Sequence, residues 1–405
     1  MSIARRSTYV PLTRELELLM HDGPIPSTER WAQVDLEAVR ANITAIAAFV
    51  EPARVMAVVK ADGYGHGASQ IAKAALSGGA DWLGVAHVSE ALALRAAGIS
   101  APILAWLHTD RTDFDTALLK SICLGVSSLN ELRRVGAAAL RVDQRATVHL
   151  KVDTGLGRNG AAPGSWRELF AHAVELERLG HVTVEGIFSH FSAAEDPSAD
   201  HLTRAQLAVF AEAVNMASAA GLRPEMRHVA NTAATLRFPD THLSMVRIGI
   251  GTYGQSPLVP RMSAPVKLQP AMSLRTVLSA VKYLPANHGV SYGSRFVTHR
   301  TTRVGLVPIG YADGVPRCAN GMSVTISGVY YPILGTIAMD QMVIDLTVPA
   351  DSRATVPEEG DEVILMSTMG NNDAAAWARA ADTINHLRDS HRHWLSCCPR
   401  VHPLQ

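Results

Sequence analysis

Short apolar runs alternate with amphipathic segments eight times between residues 55 and 248, and this alternation limits the folds open to the chain. The runs cover residues 55–59, 82–86, 103–106, 122–124, 147–151, 182–187, 226–229 and 244–248. Short continuous apolar runs are typical of strands buried on both faces of a parallel sheet. The sequence therefore predicts an α/β fold, most simply a (β/α)₈ TIM-type barrel, although an open doubly wound sheet fits the same periodicity.

Helix start signals support this pattern. Asp35 is placed to N-cap a helix that runs through Val39 and Ile43. Ser128 and Glu131 form a Ser-x-x-Glu capping box before a helix reaching Leu140, and another helical pattern covers residues 200–219.

The pattern changes at about residue 272, where short alternating strands predict a C-terminal, mainly β domain. These strands are expected at residues 303–308, 323–326, 330–334, 342–346 and 362–366. The Pro-rich loop at 257–270 is a plausible linker. We therefore expect an N-terminal extension at 1–30, a strand at 31–36 that joins the C-terminal sheet, a barrel at 37–270 and a β domain at 271–405.

Composition narrows the class of partner. The 405 residues include 37 basic and 37 acidic side chains, a balance that argues against nucleic acid or an anionic membrane surface and favours a small molecule. Cys123, Cys318, Cys397 and Cys398 lack zinc-ligand spacing, so we predict reduced thiols and no metal. No apolar segment follows Arg5-Arg6 and no apolar run reaches about 18 residues, which predicts a cytoplasmic protein without a membrane anchor.

Lys60 ends the first apolar run and is followed by a glycine-rich turn containing Gly63, Gly65 and Gly67. A lysine held at a rigid strand end beside room for a ligand is a candidate Schiff-base nucleophile. The alternative is an ordinary solvated lysine at the end of a strand.

Other polar residues also follow the carboxyl ends of the predicted strands, where barrels of this kind carry their active sites. They are Lys151, Arg158, His190, Asn231, Thr232 and Arg247. The Thr232 hydroxyl and the backbone amides around Gly249 and Ile250 fall where barrels often bind phosphate. Each residue alone could be a solvated or capping group, so the prediction rests on their joint placement.

The turn at Lys60 closely resembles the pyridoxal-phosphate (PLP) lysine motif of alanine racemases: Val58-Val59-Lys60-Ala61, two residues, then Tyr64-Gly65-His66-Gly67. Further motifs resemble that family in the same order, from Lys151–Arg158 through Ser291-Tyr292-Gly293 to Met339-Asp340. The resemblance implies a PLP-dependent racemase, most simply of alanine, and it favours the barrel over the open sheet.

The family resemblance also implies individual roles. Lys60 carries PLP, Tyr64 contacts its phosphate, Arg247 donates to its ring nitrogen and Arg158 reaches its phenolic oxygen, while Lys151 is the position that is commonly carbamylated. Residues implied near the cofactor or substrate are also His190, Asn231, Thr232, Gly249, Ile250, Tyr311, Met339 and Asp340.

Racemisation requires one base on each face of the substrate's α-carbon. The resemblance implies Lys60 and Tyr292 as these bases, with Tyr292 supported by a hydrogen-bonded chain through His190 and Arg247. A free tyrosine, with pKa about 10, needs such help at neutral pH. The family also implies a homodimer in which Tyr292 enters the partner's barrel.

The C-terminal tail departs from the family pattern, which usually places a phosphate-binding tyrosine there. His386 or Trp394 could take its place. Two alternatives stay open at this point: a racemase of serine or a broader set of amino acids, and a PLP-binding protein without turnover.

Overall fold

The computed structural model describes residues 29–258, 262, 264–319, 321–347, 355–368, 372–381 and 401–403. Within them, an eight-stranded parallel barrel is followed by an antiparallel β domain, which confirms the predicted fold class and rules out the open sheet. The predicted tail positions His386, Trp394, Cys397 and Cys398 lie outside the described residues.

The barrel strands follow one another around the sheet in sequence order, and the last strand pairs in parallel with the first. They are β2 (Arg54–Val58), β3 (Trp82–Val85), β4 (Ile103–Ala105), β5 (Cys123–Val126), β6 (Ala146–Lys151), β7 (Val182–Phe188), β8 (Met226–His228) and β9 (Met245–Ile248). Beside β8, the Arg247 amide of β9 donates to the Ala230 carbonyl, which brings the last two strands together.

Helices cover the outside of the barrel. They are α1 (Leu36–Val50), α2 (Ala68–Ser77), α3 (Val88–Ala96), α4 (Phe114–Leu119), α5 (Leu129–Val142), α6 (Trp166–Arg178), α7 (Asp200–Ala220) and α8 (Thr232–Arg237). The Asp35 carboxylate caps α1 by accepting from the Ala38 amide, as predicted. Ser128 caps α5, but the Glu131 carboxylate accepts from Ser127, one residue before the expected capping-box partner.

Two apolar layers stabilise the barrel. The outer layer packs strands against helices, and a smaller cluster fills the inside with Met56, Trp82, Leu104, Cys123, Phe188, Met226 and Met245. Because these side chains occupy the interior, the barrel is a packed core in which polar groups need partners of their own.

The strands of the β domain, which include β1 (Arg30–Val34), do not follow sequence order and lie side by side as β11-β14-β17-β16-β15-β18-β10-β1-β19. Its strands are β10 (Met272–Val277), β11 (Ala280–Leu284), β14 (Thr302–Val307), β15 (Ser323–Ile326), β16 (Val329–Leu334), β17 (Met342–Asp345), β18 (Glu362–Met366) and β19 (Val401–Pro403), with a hairpin of β12 (Gly289–Val290) and β13 (Phe296–Val297) and helix α9 (Ala374–Ala380).

The strand that precedes the barrel belongs to this second sheet. Strand β1 (Arg30–Val34) pairs antiparallel with β10, so that Trp31 lies opposite Arg275. Leu36, which the sequence placed in this strand, instead begins α1. The chain therefore crosses from the β domain into the barrel at Asp35 and returns to the β domain at β10.

Across the parts of the chain that the structure describes, no helix has both the length and the apolar character required to cross a membrane.

Candidate active site

Lys60 lies directly after β2, at the start of a turn whose backbone is in the left-handed conformation. Ala61, Asp62 and Tyr64 have φ values of 53°, 52° and 52°, and the intervening Gly63 has 63°. Non-glycine residues in this region cost roughly 1–2 kcal/mol each. Because successive residues adopt it, the surrounding contacts must hold the turn, and strain of this kind often marks a functional site.

Hydrogen bonds at both ends hold the turn. The Ala61 amide donates to the Glu90 carboxylate of α3, and the Asp62 carboxylate accepts from the Ala68 amide at the start of α2. The Lys60 Nζ lies 5.7 Å from the centre of the Tyr64 ring. The turn therefore places the lysine and the tyrosine on the same side of the barrel opening.

Tyr64 is positioned by a second buried tyrosine and by the loop after β9. Its ring lies 4.9 Å from the ring of Tyr253, and the Tyr253 hydroxyl donates to the Val58 carbonyl at the end of β2. A Cβ atom on Gly249 would lie 2.6 Å from the Tyr64 hydroxyl. Only glycine leaves space for that hydroxyl beside the backbone.

Arg247 is the central polar group of the barrel opening. Its Nη atoms donate to the carbonyls of Ser189, His228 and Val229, and they face the Nδ1 atoms of His190 and His228 at 3.1 Å each. Its Nε–H makes no hydrogen bond within the described residues, so one donor remains for a ligand. Burial lowers the pKa of Arg247 to about 9, which leaves the guanidinium protonated at neutral pH.

Both histidines beside Arg247 are neutral. Desolvation, followed by repulsion from the guanidinium, holds the pKa of His190 and of His228 well below the usual value. An arginine can only donate hydrogen bonds, so each neutral ring must accept at Nδ1 and carry its proton on Nε2. His228 also contacts His149, whose Nδ1 lies 2.8 Å from the His228 Nε2.

Sequence reasoning missed His149, His228 and Ser189 as members of this network. The two histidines lie within β6 and β8, in runs that read as ordinary buried strands. The available signal was a histidine inside an apolar run, since a buried imidazole requires a hydrogen-bond partner.

Lys151 ends β6 and is 6% exposed. Its Nζ lies 5.5 Å from the centre of the Phe188 ring. Burial first, and then the charges of Arg247 and Arg158, lower the pKa of Lys151 to about 8. A substantial fraction of this amine is therefore unprotonated in mildly alkaline solution. Arg158 itself is exposed, in the loop that follows β6.

The residues after β8 and β9 contact one another. The Thr232 hydroxyl accepts from the amides of Gly249 (3.1 Å) and Gly251 (3.4 Å), and Ile250 begins a short 3-10 turn. The Asn231 side chain caps α8 by accepting from the Ala234 amide. Its observed contact is therefore that of a capping residue. This loop pair places a hydroxyl, several amides and the Tyr64 hydroxyl close together.

The predicted residues of the β domain are exposed. Tyr292, Tyr311 and Met339 are 69%, 37% and 56% exposed. Tyr292 lies in a short turn that is held by the Thr336 hydroxyl, which donates to the Tyr292 carbonyl. The Tyr311 amide donates to the Ala338 carbonyl, so the loop of Met339 and Asp340 packs beside Tyr311. These contacts place Tyr311, Met339 and Asp340 together on an exposed surface.

The fold and the site together define a class: a two-domain barrel protein with a lysine, a buried arginine and neutral histidines at the carboxyl ends of its strands. Residues 34–257 match the family described as "Alanine racemase, N-terminal domain", and residues 271–387 match "Alanine racemase, C-terminal domain".

Relatives of the whole chain agree. The alanine racemase of Thermobifida fusca is 45% identical over 359 residues, covering 88% of this chain and 93% of that protein. That of Frankia casuarinae is 45% identical over 361 residues, covering 88% and 92%. The crystal structure of alanine racemase from D-cycloserine-producing Streptomyces lavendulae superposes with a TM-score of 0.87 at 42% identity, covering 94% of this chain and 98% of that one. The chain belongs to the alanine racemase family.

Proposed function

We propose that this chain interconverts L- and D-alanine with pyridoxal phosphate. One observation carries the proposal: Lys60 follows β2 and the buried, protonated Arg247 lies in the neighbouring strand β9, with the charges of both acting on His190. The hydrogen bonds of Arg247 use its Nη atoms and leave Nε–H without a partner within the described residues. A lysine nucleophile and a fixed cationic donor are the two groups that an aldehyde-bearing, nitrogen-containing ring requires.

The residues fit the cofactor's phosphate as well. The Thr232 hydroxyl accepts from the amides of Gly249 and Gly251, which leaves its O–H to donate, and the Tyr64 hydroxyl lies against Gly249 as a second donor. A dianionic phosphate needs such donors, and the loops after the last two strands are where barrels usually bind it. Gly249 allows the approach because a Cβ there would occupy the space of the Tyr64 hydroxyl.

When bound, pyridoxal phosphate withdraws electrons from the bond between the substrate's α-carbon and its hydrogen. Lys60 would hold the cofactor and then move a proton on one face of the α-carbon. Arg247 would donate from Nε to the ring nitrogen without giving up its proton. Because Arg247 would keep its proton, it would leave the bound ring a weaker electron acceptor, which favours racemisation over transamination.

Tyr292 would move a proton on the opposite face. Its exposure in the single chain fits an arrangement in which it enters the barrel of a partner subunit. His190 carries its proton on Nε2, because Nδ1 accepts from Arg247, so it can donate to the phenolate oxygen of Tyr292. Arg247 and His190 thus support the second base without exchanging protons themselves.

The remaining polar residues would position the substrate. Lys151, once carbamylated, would turn a buried cation into an anion and hold Arg158 near the cofactor's phenolic oxygen. The loop of Tyr311, Met339 and Asp340 would line the access channel and meet the substrate's carboxylate through backbone groups.

The test is conversion of a panel of L-amino acids in deuterated water, with product chirality and α-carbon deuteration measured together. We expect D-alanine to form fastest, with deuterium incorporated at the α-carbon. Faster conversion of serine would identify a serine racemase, and a bound cofactor without exchange on any amino acid would contradict enzymatic function.

A further inference from the structure

A line of polar groups leads from Arg247 into the apolar interior of the barrel. The Arg247 Nη1 faces the His228 Nδ1 at 3.1 Å, and the His228 Nε2 faces the His149 Nδ1 at 2.8 Å. The His149 Nε2 lies 3.6 Å from a carboxylate oxygen of Glu185. The four side chains come from β9, β8, β6 and β7, so the line crosses half of the barrel.

The chemistry of the groups at its two ends favours one direction for this line. The guanidinium can only donate, so the His228 Nδ1 accepts and its Nε2 carries the proton. The His228 Nε2–H then donates to the His149 Nδ1, which leaves the second imidazole proton on the His149 Nε2. That atom points at Glu185, whose carboxylate oxygens offer it an acceptor. Every hydrogen in the line therefore points from the arginine towards the glutamate.

The backbone is built to place Glu185 at this point. The pairing of β6 with β7 shifts by one residue: Val148 lies opposite Val184, whereas His149 lies opposite Gly186. Glu185 is the extra residue of this β-bulge, and bulges typically redirect a side chain. At Gly186, a Cβ atom would lie 2.5 Å from the His149 ring. The bulge and the glycine together admit the imidazole and turn the carboxylate towards it.

His149 is buried where few polar groups can face its Nε2, so the nearby Glu185 carboxylate matters to it. The His149 side chain is fully buried, its ring lies 5.3 Å from that of Trp82, and its Nε2 has no hydrogen-bond partner among the described residues. A contact of 3.6 Å is longer than a hydrogen bond, so the Glu185 carboxylate acts as the nearest acceptor and as a negative charge. The Glu185 side chain is 30% exposed, so water partly screens its charge, but the buried His149 Nε2 has no other acceptor within the described residues.

A metal ion is the competing explanation, because ligand atoms of Cys123, His149 and Glu185 all lie within 4.8 Å of one another. A metal would need the lone pair of the His149 Nε2. With both rings neutral, this would move the imidazole proton to the His149 Nδ1 and force the His228 proton onto Nδ1. An N–H of His228 would then face an N–H of Arg247, which the observed contact of 3.1 Å makes unfavourable.

We propose that Glu185 is a positioning residue that acts together with Arg247 to hold the Arg247–His228–His149 line in one direction, and thereby keeps the guanidinium aligned for its ligand. The inference rests on the proposed function for its catalytic consequence, but its structural content concerns the protein alone. If the line reversed, Arg247 Nη1 would lose the His228 Nδ1 acceptor and keep only the His228 carbonyl, so the guanidinium could tilt away from the space it serves.

The test uses ¹⁵N-histidine labelling of the full chain, with pyridoxal phosphate bound and after its removal. Long-range proton–nitrogen spectra report which nitrogen of each ring carries the proton, and His149→Gln and His228→Gln variants assign the signals. We expect both rings to be neutral with the proton on Nε2 in either state. A proton on Nδ1 of either ring would overturn the proposal, whether or not the protein racemises alanine.

The Glu185→Gln variant tests the role of the carboxylate, because an amide of the same size can either accept from or donate to His149. We expect a mixed proton position on His149, and kcat about tenfold lower with little change in KM, because the guanidinium would be less well aligned. Glu212→Gln, which removes an exposed carboxylate from α7, is the matched control. It should change neither the proton position on His149 nor kcat. Unchanged His149 signals in Glu185→Gln would refute the role.

Zinc titration separates the metal alternative. We expect added Zn²⁺ to leave the His149 signals of the wild type unchanged. If Zn²⁺ removed the His149 Nε2–H signal from the wild type but not from Cys123→Ser, a metal site would be established and the proposal overturned.

Discussion

The backbone at Gly249 approaches the Tyr64 hydroxyl so closely that a Cβ atom on residue 249 would lie 2.6 Å from it. Tyr64 follows the first barrel strand and Gly249 follows the last, so this contact joins the two edges at which the barrel closes. The same contact defines the space proposed for the cofactor's phosphate.

Gly249→Ala should therefore weaken cofactor binding. The added methyl group would displace the Tyr64 hydroxyl, and loss of one charged hydrogen bond corresponds to roughly tenfold in affinity. Equilibrium titration with pyridoxal phosphate, followed by absorbance, measures the change. Gly164→Ala is the control, because a Cβ there meets nothing within 4 Å. Equal affinity in the two variants would show that Tyr64 does not contact the phosphate.

Lys60→Ala should abolish covalent attachment of the cofactor, since Lys60 is the lysine placed at the mouth of β2. After borohydride reduction and digestion, the wild type should carry the label on the peptide containing Lys60, and the variant should carry none. Lys73→Ala removes an exposed lysine from the neighbouring helix α2 and should leave labelling intact. A labelled peptide elsewhere in Lys60→Ala would identify a different lysine.

The lowered pKa of Lys151 predicts a dependence of stability on pH. Below about pH 8 the amine is protonated in both states, and the folded state bears the penalty of burying the charge. Between about 8 and the usual 10.5, the folded protein binds fewer protons than the unfolded chain, so the free energy of unfolding should rise with pH.

Urea unfolding of the wild type and of Lys151→Met, in carbon dioxide-free buffer, isolates this effect. As the pH rises from about 8 to 10.5, the urea midpoint of the wild type should increase relative to that of Lys151→Met. In ¹³C-bicarbonate, a carbamate signal should appear in the wild type and be absent from Lys151→Met. A difference independent of pH would mean that the amine is not desolvated in solution.

Mixed subunits test the shared active site. Lys60→Ala and Tyr292→Phe chains should each be inactive, but exchange between them should restore activity approaching half that of the wild type per heterodimer. This is expected because one of the two sites would then regain both bases. Tyr283→Phe, which alters another exposed tyrosine of the β domain, is the control and should be active without mixing. If subunit exchange is demonstrated without recovery, each chain builds its site alone.

The barrel was predictable because its strands are buried on both faces and therefore leave continuous apolar runs in the sequence. Strand β11 was not predicted, since it contains Lys282 and the exposed Tyr283 and lies at the edge of its sheet. The two-residue strands β12 and β13 are too short to leave a periodic pattern.

The site was predictable only in part. Lys60 and Arg247 could be found because they follow apolar runs, but the left-handed turn through Ala61 and Asp62 has no signature in residue type. The roles of His149 and Glu185 depend on a one-residue shift in strand pairing. Such a shift arises from packing between distant strands, which local sequence patterns do not record.

The pairing of β1 with β10 ties together segments that the ribosome makes far apart. Arg30–Val34 emerges before any barrel strand, yet its partner Met272–Val277 is synthesised only after the last one. Strand β1 therefore cannot pair with β10 until the whole barrel has been synthesised. A fragment beginning at residue 271 would expose the edge of β10 to pairing with other chains. Fusing a copy of Arg30–Val34 to that fragment should restore its solubility.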